Sequence, residues 1–238
     1  MTRRPATDQQ ISFALRCAVI GVGLVVAGFL LGVLVGVSDD AVSVDQWWNA
    51  AVAGFFPASQ ELAYLLDTVG GGIIATYVVP LSVAAILLIL RRPWSALLFL
   101  LGSAISAAVV QLLKSVFGRV RPEEILVVSD HGSFPSGHAA NAATIAVLAV
   151  VIVPRLWVAV VGMVWTALMA LGRTQLHAHW LSDTVGGILI GAGAAFIVVA
   201  ILAVPVLRER ERRAAARGGG AALVVREARP PIEPAVSG

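Results

Sequence analysis

Residues 184–207, TVGGILIGAGAAFIVVAILAVPVL, carry no charged side chain. The run outlasts the roughly 20 residues a helix needs to cross a bilayer. It reads as a membrane-spanning helix, and five further apolar runs precede it: 14–37, 69–90, 94–113, 138–153 and 157–172. The fourth and fifth are short on their own. The fourth can gain a turn from Pro135-Ser136-Gly137 and the fifth from Arg173 onward. Pro154-Arg155 separates them, because proline ends or kinks a helix. The first run is longer than a signal-peptide core of roughly 7–15 residues, and no small-residue cleavage site follows it cleanly. It is read as a retained helix, so the expected fold is an all-α bundle of six transmembrane helices.

The whole composition agrees. Of 238 residues, 58% are hydrophobic and only 13% charged, whereas soluble domains carry about a quarter charged residues. The net charge of +3 does not by itself imply a nucleic-acid partner, and none is expected. The one cysteine, Cys17, excludes an intrachain disulfide and a Cys-rich metal site; it reads as a small apolar residue in the first helix.

Charge sets the expected orientation through the positive-inside rule. With the N-terminus cytoplasmic, the inner segments hold Arg3, Arg4, Arg16, Arg91, Arg92, Arg155 and the tail arginines, and the outer loops collect Asp39, Asp40, Asp45, Glu61, Asp67, Glu123, Glu124 and Asp130. Both termini are then cytoplasmic. Only Lys114, Arg119, Arg121 and Arg173 lie outside, against the trend. The first outer loop, 38–68, carries Trp47-Trp48 and Phe55-Phe56 and is expected to lie on the membrane surface, as an anchor or as a guide for a lipid. Residues 1–13 form a cytoplasmic segment, 14–207 the membrane domain, and 208–238 a cytoplasmic Arg-rich tail. The first part of that tail can extend the sixth helix, and the rest, through Gly218-Gly219-Gly220 to Pro230-Pro231, is expected to be disordered.

Three clusters fall at the outer ends of helices: Lys114 with Arg121-Pro122; Pro135-Ser136-Gly137-His138; and Arg173, His179 and Asp183. Three cations at one face call for an anion. A phosphate suits them, since arginine matches its oxygens with a fork of donors and lysine supplies a point charge. Ser136 is placed to cap the fourth helix, and Gly137 lets the backbone approach an anion at that helix end. His138 can then protonate a leaving oxygen. His179 and Asp183, four residues apart, share a helix face, so the carboxylate can fix the tautomer of an imidazole nucleophile. A structural His–Asp pair, or a metal bound by His177, His179 and Asp183, is the alternative reading of the third cluster.

Together these clusters resemble the type 2 phosphatidic acid phosphatase (PAP2) family, which shares its active site with vanadium haloperoxidases. Its signature is Lys-x6-Arg-Pro, Pro-Ser-Gly-His and Ser-Arg-x5-His-x3-Asp. This chain departs from it at Gly172, where the pattern has Ser. The resemblance implies that His179 attacks phosphorus, Asp183 orients it and His138 protonates the leaving group. Lys114, Arg121, Ser136, Gly137 and Arg173 would hold the phosphate, with no metal and no cofactor. His131 and His177 match no motif position; His131 reads as a loop residue and His177 as a neighbour that can tune the site. The implied substrates are lipid phosphates or diphosphates, with polyprenyl (undecaprenyl) diphosphate or a glycerophospholipid phosphate foremost. The alternatives are a small-substrate phosphatase, a metal-dependent membrane hydrolase, and a non-catalytic transporter or scaffold on the same fold.

Overall fold

The computed structural model of the chain describes residues 6–36, 42–55 and 60–227. Arg3, Arg4, Asp39, Asp40, Phe56 and Pro230-Pro231, named above, lie outside them. The described residues form helices and no strand: α1 (Asp8–Gly36), α2 (Ser43–Phe55), α3 (Gln60–Gly70), a π turn (Ile74–Val78) leading into α4 (Val79–Ile89), α5 (Pro93–Phe117), α6 (Gly137–Ile152), α7 (Leu156–Gln175) and α8 (Leu181–Glu227).

Each of the six apolar runs falls on helix, but the helices differ in reach. Among the described residues four are long and apolar enough to cross a bilayer: Asp8–Gly36, Pro93–Phe117, Leu156–Gln175 and Leu181–Ala216. By the same measure of length and composition, α3 and the segment Ile74–Ile89 make a fifth when they count as one span bent by 46°. The break follows Gly70-Gly71-Gly72, where Gly72 takes φ +54°, a left-handed conformation that glycine adopts without a steric penalty. The run at 138–153 becomes a helix of 16 residues, Gly137–Ile152. At 1.5 Å per residue that is about 24 Å, short of the ~30 Å hydrocarbon core.

Apolar side chains point outward along these helices. Leu15, Val19, Leu30 and Leu34 on α1, Leu156, Trp157 and Met163 on α7, and Ile201 on α8 are all exposed. Buried residues at one end of the bundle are instead polar: Lys114, Arg119, Ser136, Arg173, His179 and Asp183. An apolar surface around a charged interior is what a lipid solvent demands, and the chain is an integral membrane protein.

α8 is the central post, packing on α1, α5, α6 and α7. Its contact with α6 matters most for the site. A Cβ on Gly187 would lie 2.4 Å from the Ser136 carbonyl oxygen, and one on Gly191 would lie 2.1 Å from that of Ala140. Small residues four apart let the two backbones touch. At the far end, Glu209 of α8 accepts hydrogen bonds from Trp94 N (2.8 Å) and Ser95 N (3.2 Å), satisfying the first amides of α5. Past Arg208, α8 continues as helix through Gly218-Gly219-Gly220 to Glu227.

The loop expected at the membrane surface supplies two helices. α2 presents Trp47 outward but buries Asp45 completely and packs on α7 and α8.

Candidate active site

The three sequence clusters meet at one end of the bundle. Lys114 is in the last turn of α5, which Gly118 closes with φ +54°. The linker from there to Ser136 carries Arg119 and Arg121. Ser136 starts α6, and its amide donates to the Asp183 carbonyl of α8 at 2.9 Å. That bond ties the second motif directly to the third. Arg173 ends α7, His179 lies in the short link between α7 and α8, and Asp183 is in the first turn of α8.

His179 is buried, and its partners decide its tautomer. Nδ1 is 2.8 Å from the Ser133 carbonyl oxygen, which can only accept, so Nδ1 carries the proton. Nε2 is left with its lone pair and lies 3.3 Å from Nη1 of Arg121. Burial, and then the positive charges of Arg173, Arg121 and Lys114 and the nearby His138, hold the imidazole well below its usual range. Near neutral pH the ring is therefore uncharged, as a nucleophile must be.

Asp183 stands further from His179 than spacing alone suggests. Its Oδ2 is 3.7 Å from Nδ1, while it accepts from the Trp180 amide at 2.8 Å, half of a capping box at the start of α8. Its Oδ1 accepts from Nη1 of Arg119 at 2.6 Å. Arg119 donates in turn to Asp45 at 2.8 Å, and Ser182 holds Asp45 through both its amide (2.9 Å) and its hydroxyl (2.6 Å). Sequence reasoning gave Arg119 and Asp45 no role beyond the charge balance of the outer loops. The structure joins them into a buried Asp45–Arg119–Asp183 chain that ties α2 to the start of α8.

The cations also have carboxylate partners. Lys114 Nζ donates to Asp130 at 3.2 Å and to the Gly132 carbonyl at 2.8 Å. Arg121 Nη2 reaches the same two residues, at 2.8 and 2.9 Å, and Nη1 donates to the Ala178 carbonyl. Burial works against the charged form of Asp130, but Lys114 and Arg121 outweigh it and hold the carboxyl below its usual range. Arg121 is itself lowered by burial, with Asp130 opposing. Arg173 donates to Asp67 of α3, and His138 Nε2 meets the Asp67 carbonyl at 3.1 Å. The expected repulsion among free cations is thus relieved within the protein. The surplus of acids on the same side was the signal for it.

Each motif nevertheless keeps a buried polar atom without a hydrogen-bond partner: Arg121 Nε, Ser136 Oγ and Arg173 Nε. Ser136 occupies the N-cap position of α6, yet its hydroxyl makes no cap bond. Buried donors are costly to leave unmade, and an anion with several oxygens is the ligand that satisfies such a set.

His177 takes φ +49° and directs Nδ1 to Asn49 of α2 at 2.6 Å; His131 is exposed in the linker. Among the described residues no group of three His, Cys, Asp or Glu side chains is arranged to hold a metal. Gly172 faces α3: a Cβ there would lie 3.4 Å from Leu66 Cδ1 and 3.7 Å from the Ala63 Cα. The missing serine therefore stands where α3 packs closely on α7.

Below His138 opens an apolar cavity of about 650 Å³ between α4, α6 and α7. Val79, Val83, Ile145, Ala149, Trp165 and Met169 line it, and it reaches Arg92 and Trp157 at the other end of the bundle.

The membrane-embedded helical bundle thus holds a buried cluster of phosphate-matching donors around a neutral histidine. Residues 95–205, which hold all three motifs, match the PAP2 superfamily. Phosphatidylglycerophosphatase B of Bacillus subtilis (strain 168) is 29% identical over 175 residues, 68% of this chain and 79% of that protein. The crystal structure of a transmembrane PAP2 type phosphatidylglycerolphosphate phosphatase from Bacillus subtilis superposes with a TM-score of 0.63 at 27% identity, over 74% of this chain and 94% of that one. Aquifex aeolicus LpxE shares the fold at 23% identity, with a TM-score of 0.55 over 63% of this chain and 92% of its own.

Proposed function

We propose that this protein hydrolyses a lipid phosphate or diphosphate through a phosphohistidine on His179. The unpartnered buried donors of Arg121, Ser136 and Arg173, one from each motif, carry the reading, because they sit with a neutral imidazole whose Nε2 keeps its lone pair and meets only the Nη1 of Arg121, 3.3 Å away. Nε2 attacks phosphorus, forming the N–P bond as the P–O bond to the leaving group breaks. His138 gives that oxygen its proton. Water then attacks the phosphohistidine, returns a proton to His138 and frees His179 with release of phosphate. Lys114, Arg121, Arg173, Ser136 and the amide of Gly137 bear the charge on the equatorial oxygens. Three cations supply the charge that a metal would otherwise bring, so turnover needs no divalent ion. Asp183 acts on His179 by fixing the first turn of α8 through Trp180 and Arg119.

The substrate carries a hydrocarbon chain. The cavity beneath His138 is apolar and follows α6 through most of its length, which suits an acyl or prenyl chain and gives a headgroup-only substrate no use for it. A glycerophospholipid phosphate, the class named for the Bacillus relatives, and a polyprenyl diphosphate are the two candidates. We place both termini in the cytoplasm and the site at the outer face of a bacterial inner membrane. Residues 14–207 cross it six times, with α6 as the short crossing, and the Arg-rich segment from 208 forms the cytoplasmic tail.

The test is phosphate release by the purified protein in detergent from a panel of lipid phosphates, lipid diphosphates and their headgroup-only counterparts, with EDTA throughout. Turnover of chain-bearing substrates well above headgroup-only ones is expected, with inhibition by orthovanadate. Turnover that requires added Mg²⁺ or Zn²⁺, or no preference for a chain, overturns the reading.

A further inference from the structure

Asp67 belongs to none of the three motifs, yet it touches two of their residues. It stands on α3, and its Oδ1 accepts from Arg173 Nη1 while lying 3.3 Å from His138 Nε2. Its backbone carbonyl is 3.1 Å from the same nitrogen. A carbonyl oxygen only accepts, so Nε2 of His138 carries a hydrogen and Nδ1 is the ring atom left to serve the leaving group.

The approach is built into the chain. Gly70 and Gly71 follow within one turn, and a Cβ on Gly71 would lie 2.2 Å from His138 Nε2. Only a glycine lets the end of α3 come this close to the histidine.

Charge gives the contact its purpose. An acid must hold its proton before it can donate it, and a protonated His138 adds a further positive charge beside Lys114, Arg121 and Arg173. Asp130 balances Lys114 and Arg121. Asp67 is the carboxylate that reaches both Arg173 and His138.

We infer that Asp67 is a positioning residue: it fixes His138 by Nε2 and balances its protonated form, and the same carboxylate holds the Arg173 guanidinium in the phosphate site. The arrangement parallels the aspartate that orients a catalytic histidine in hydrolases with a serine nucleophile, here applied to the acid rather than to the base. The inference rests on the phosphatase reading above.

The two duties predict two separate effects. Losing the hold on His138 slows phosphoryl transfer to His179 only for substrates whose leaving group needs a proton, whereas hydrolysis of the phosphohistidine is a step all substrates share. Losing the hold on Arg173 weakens phosphate binding for every substrate. The experiment compares kcat and KM of wild type, Asp67→Asn and Asp67→Glu on a lipid phosphomonoester and on p-nitrophenyl phosphate, whose leaving group departs without help. In Asp67→Asn the ratio of the two kcat/KM values, lipid over nitrophenyl, from which the shared hydrolysis step drops out, should fall about 10- to 100-fold, up to the low end of the 10²–10⁴-fold that positioned proton transfer provides. KM should rise for both substrates, and Asp67→Glu should recover part of the ratio. In a His138→Ala background, Asp67→Asn should not lower the ratio further.

Both rates are taken on one preparation, so partial misfolding cancels from the ratio. Asp67→Ala gives the same reading should the Asn variant not accumulate. Equal losses on both substrates, or the same fall in ratio with His138 already removed, would overturn the proposal. A wild-type protein that turns over neither ester refutes the phosphatase reading instead, so the two failures are distinct.

Discussion

Gly191→Ala places one methyl group between α8 and α6, where the structure leaves no room for it. The new Cβ would stand 2.1 Å from the Ala140 carbonyl oxygen and 2.7 Å from the Ala140 carbonyl carbon and Cα, against an ordinary contact of 3.4 Å or more. All three atoms are backbone, so no rotamer change relieves the clash, and the helices must separate by about 1 Å. Overpacking of this kind costs about 1–3 kcal/mol. At this chain length each kcal/mol lowers Tm by about 2–4 °C, which gives a fall of roughly 2–12 °C. The effect on rate should be larger in proportion. α6 carries Ser136 and His138, α8 carries Asp183, and a 1 Å misplacement of catalytic groups costs about 10²-fold. The assay is thermal unfolding in detergent together with kcat on a lipid phosphate. Gly23→Ala on α1, whose Cβ would meet nothing within 4 Å, serves as the control and should keep both values. A Gly191→Ala protein with wild-type Tm and kcat would refute the close α6–α8 approach. So would equal losses in Gly23→Ala.

Arg119→Met leaves Asp45 and Asp183 buried without their shared partner, and should cost about 3–5 kcal/mol in unfolding measurements. An effect below 1 kcal/mol would mean that the chain of charges does not hold α2 in place. His179 must be neutral to attack and its folded value lies well below the usual one, so kcat/KM on p-nitrophenyl phosphate, which reports the groups of the free enzyme, should stay level as pH falls through 6.5 and drop only well below it. An acid limb centred at 6.5 or higher contradicts that. In a Cys17→Ala background, Val128→Cys should react with an impermeant thiol reagent in intact cells and Ala215→Cys only after lysis. The reverse pattern puts the site in the cytoplasm.

The apolar runs and the chemical motifs were legible because each is a local property of the chain. A run such as 184–207 adds its preference for lipid residue by residue, and the motifs hold their residues within a few positions of one another. The break between α3 and α4 was not, because apolar side chains continue straight across it; only Gly70-Gly71-Gly72 marked the bend. Asp67 and Asp45 were read as outer-loop charge for a different reason. Their partners, Arg173 and Ser182, stand 106 and 137 residues away, and no spacing rule spans such distances. The i, i+4 spacing of His179 and Asp183 suggested direct contact, but α8 begins only at Leu181. Its first turn draws Asp183 to the Trp180 amide, and the Ser133 carbonyl takes the position beside Nδ1.

The phosphoryl group on His179 is the step on which the rest of the mechanism depends, and it can be trapped. The purified protein is mixed with a lipid phosphate radiolabelled in its phosphate, denatured in base during turnover, and digested. Protein-bound label should be stable to base, labile to acid, and confined to the peptide bearing His179, and His179→Ala should retain neither label nor turnover. Label on His138, or continued turnover by His179→Ala, would contradict the assignment.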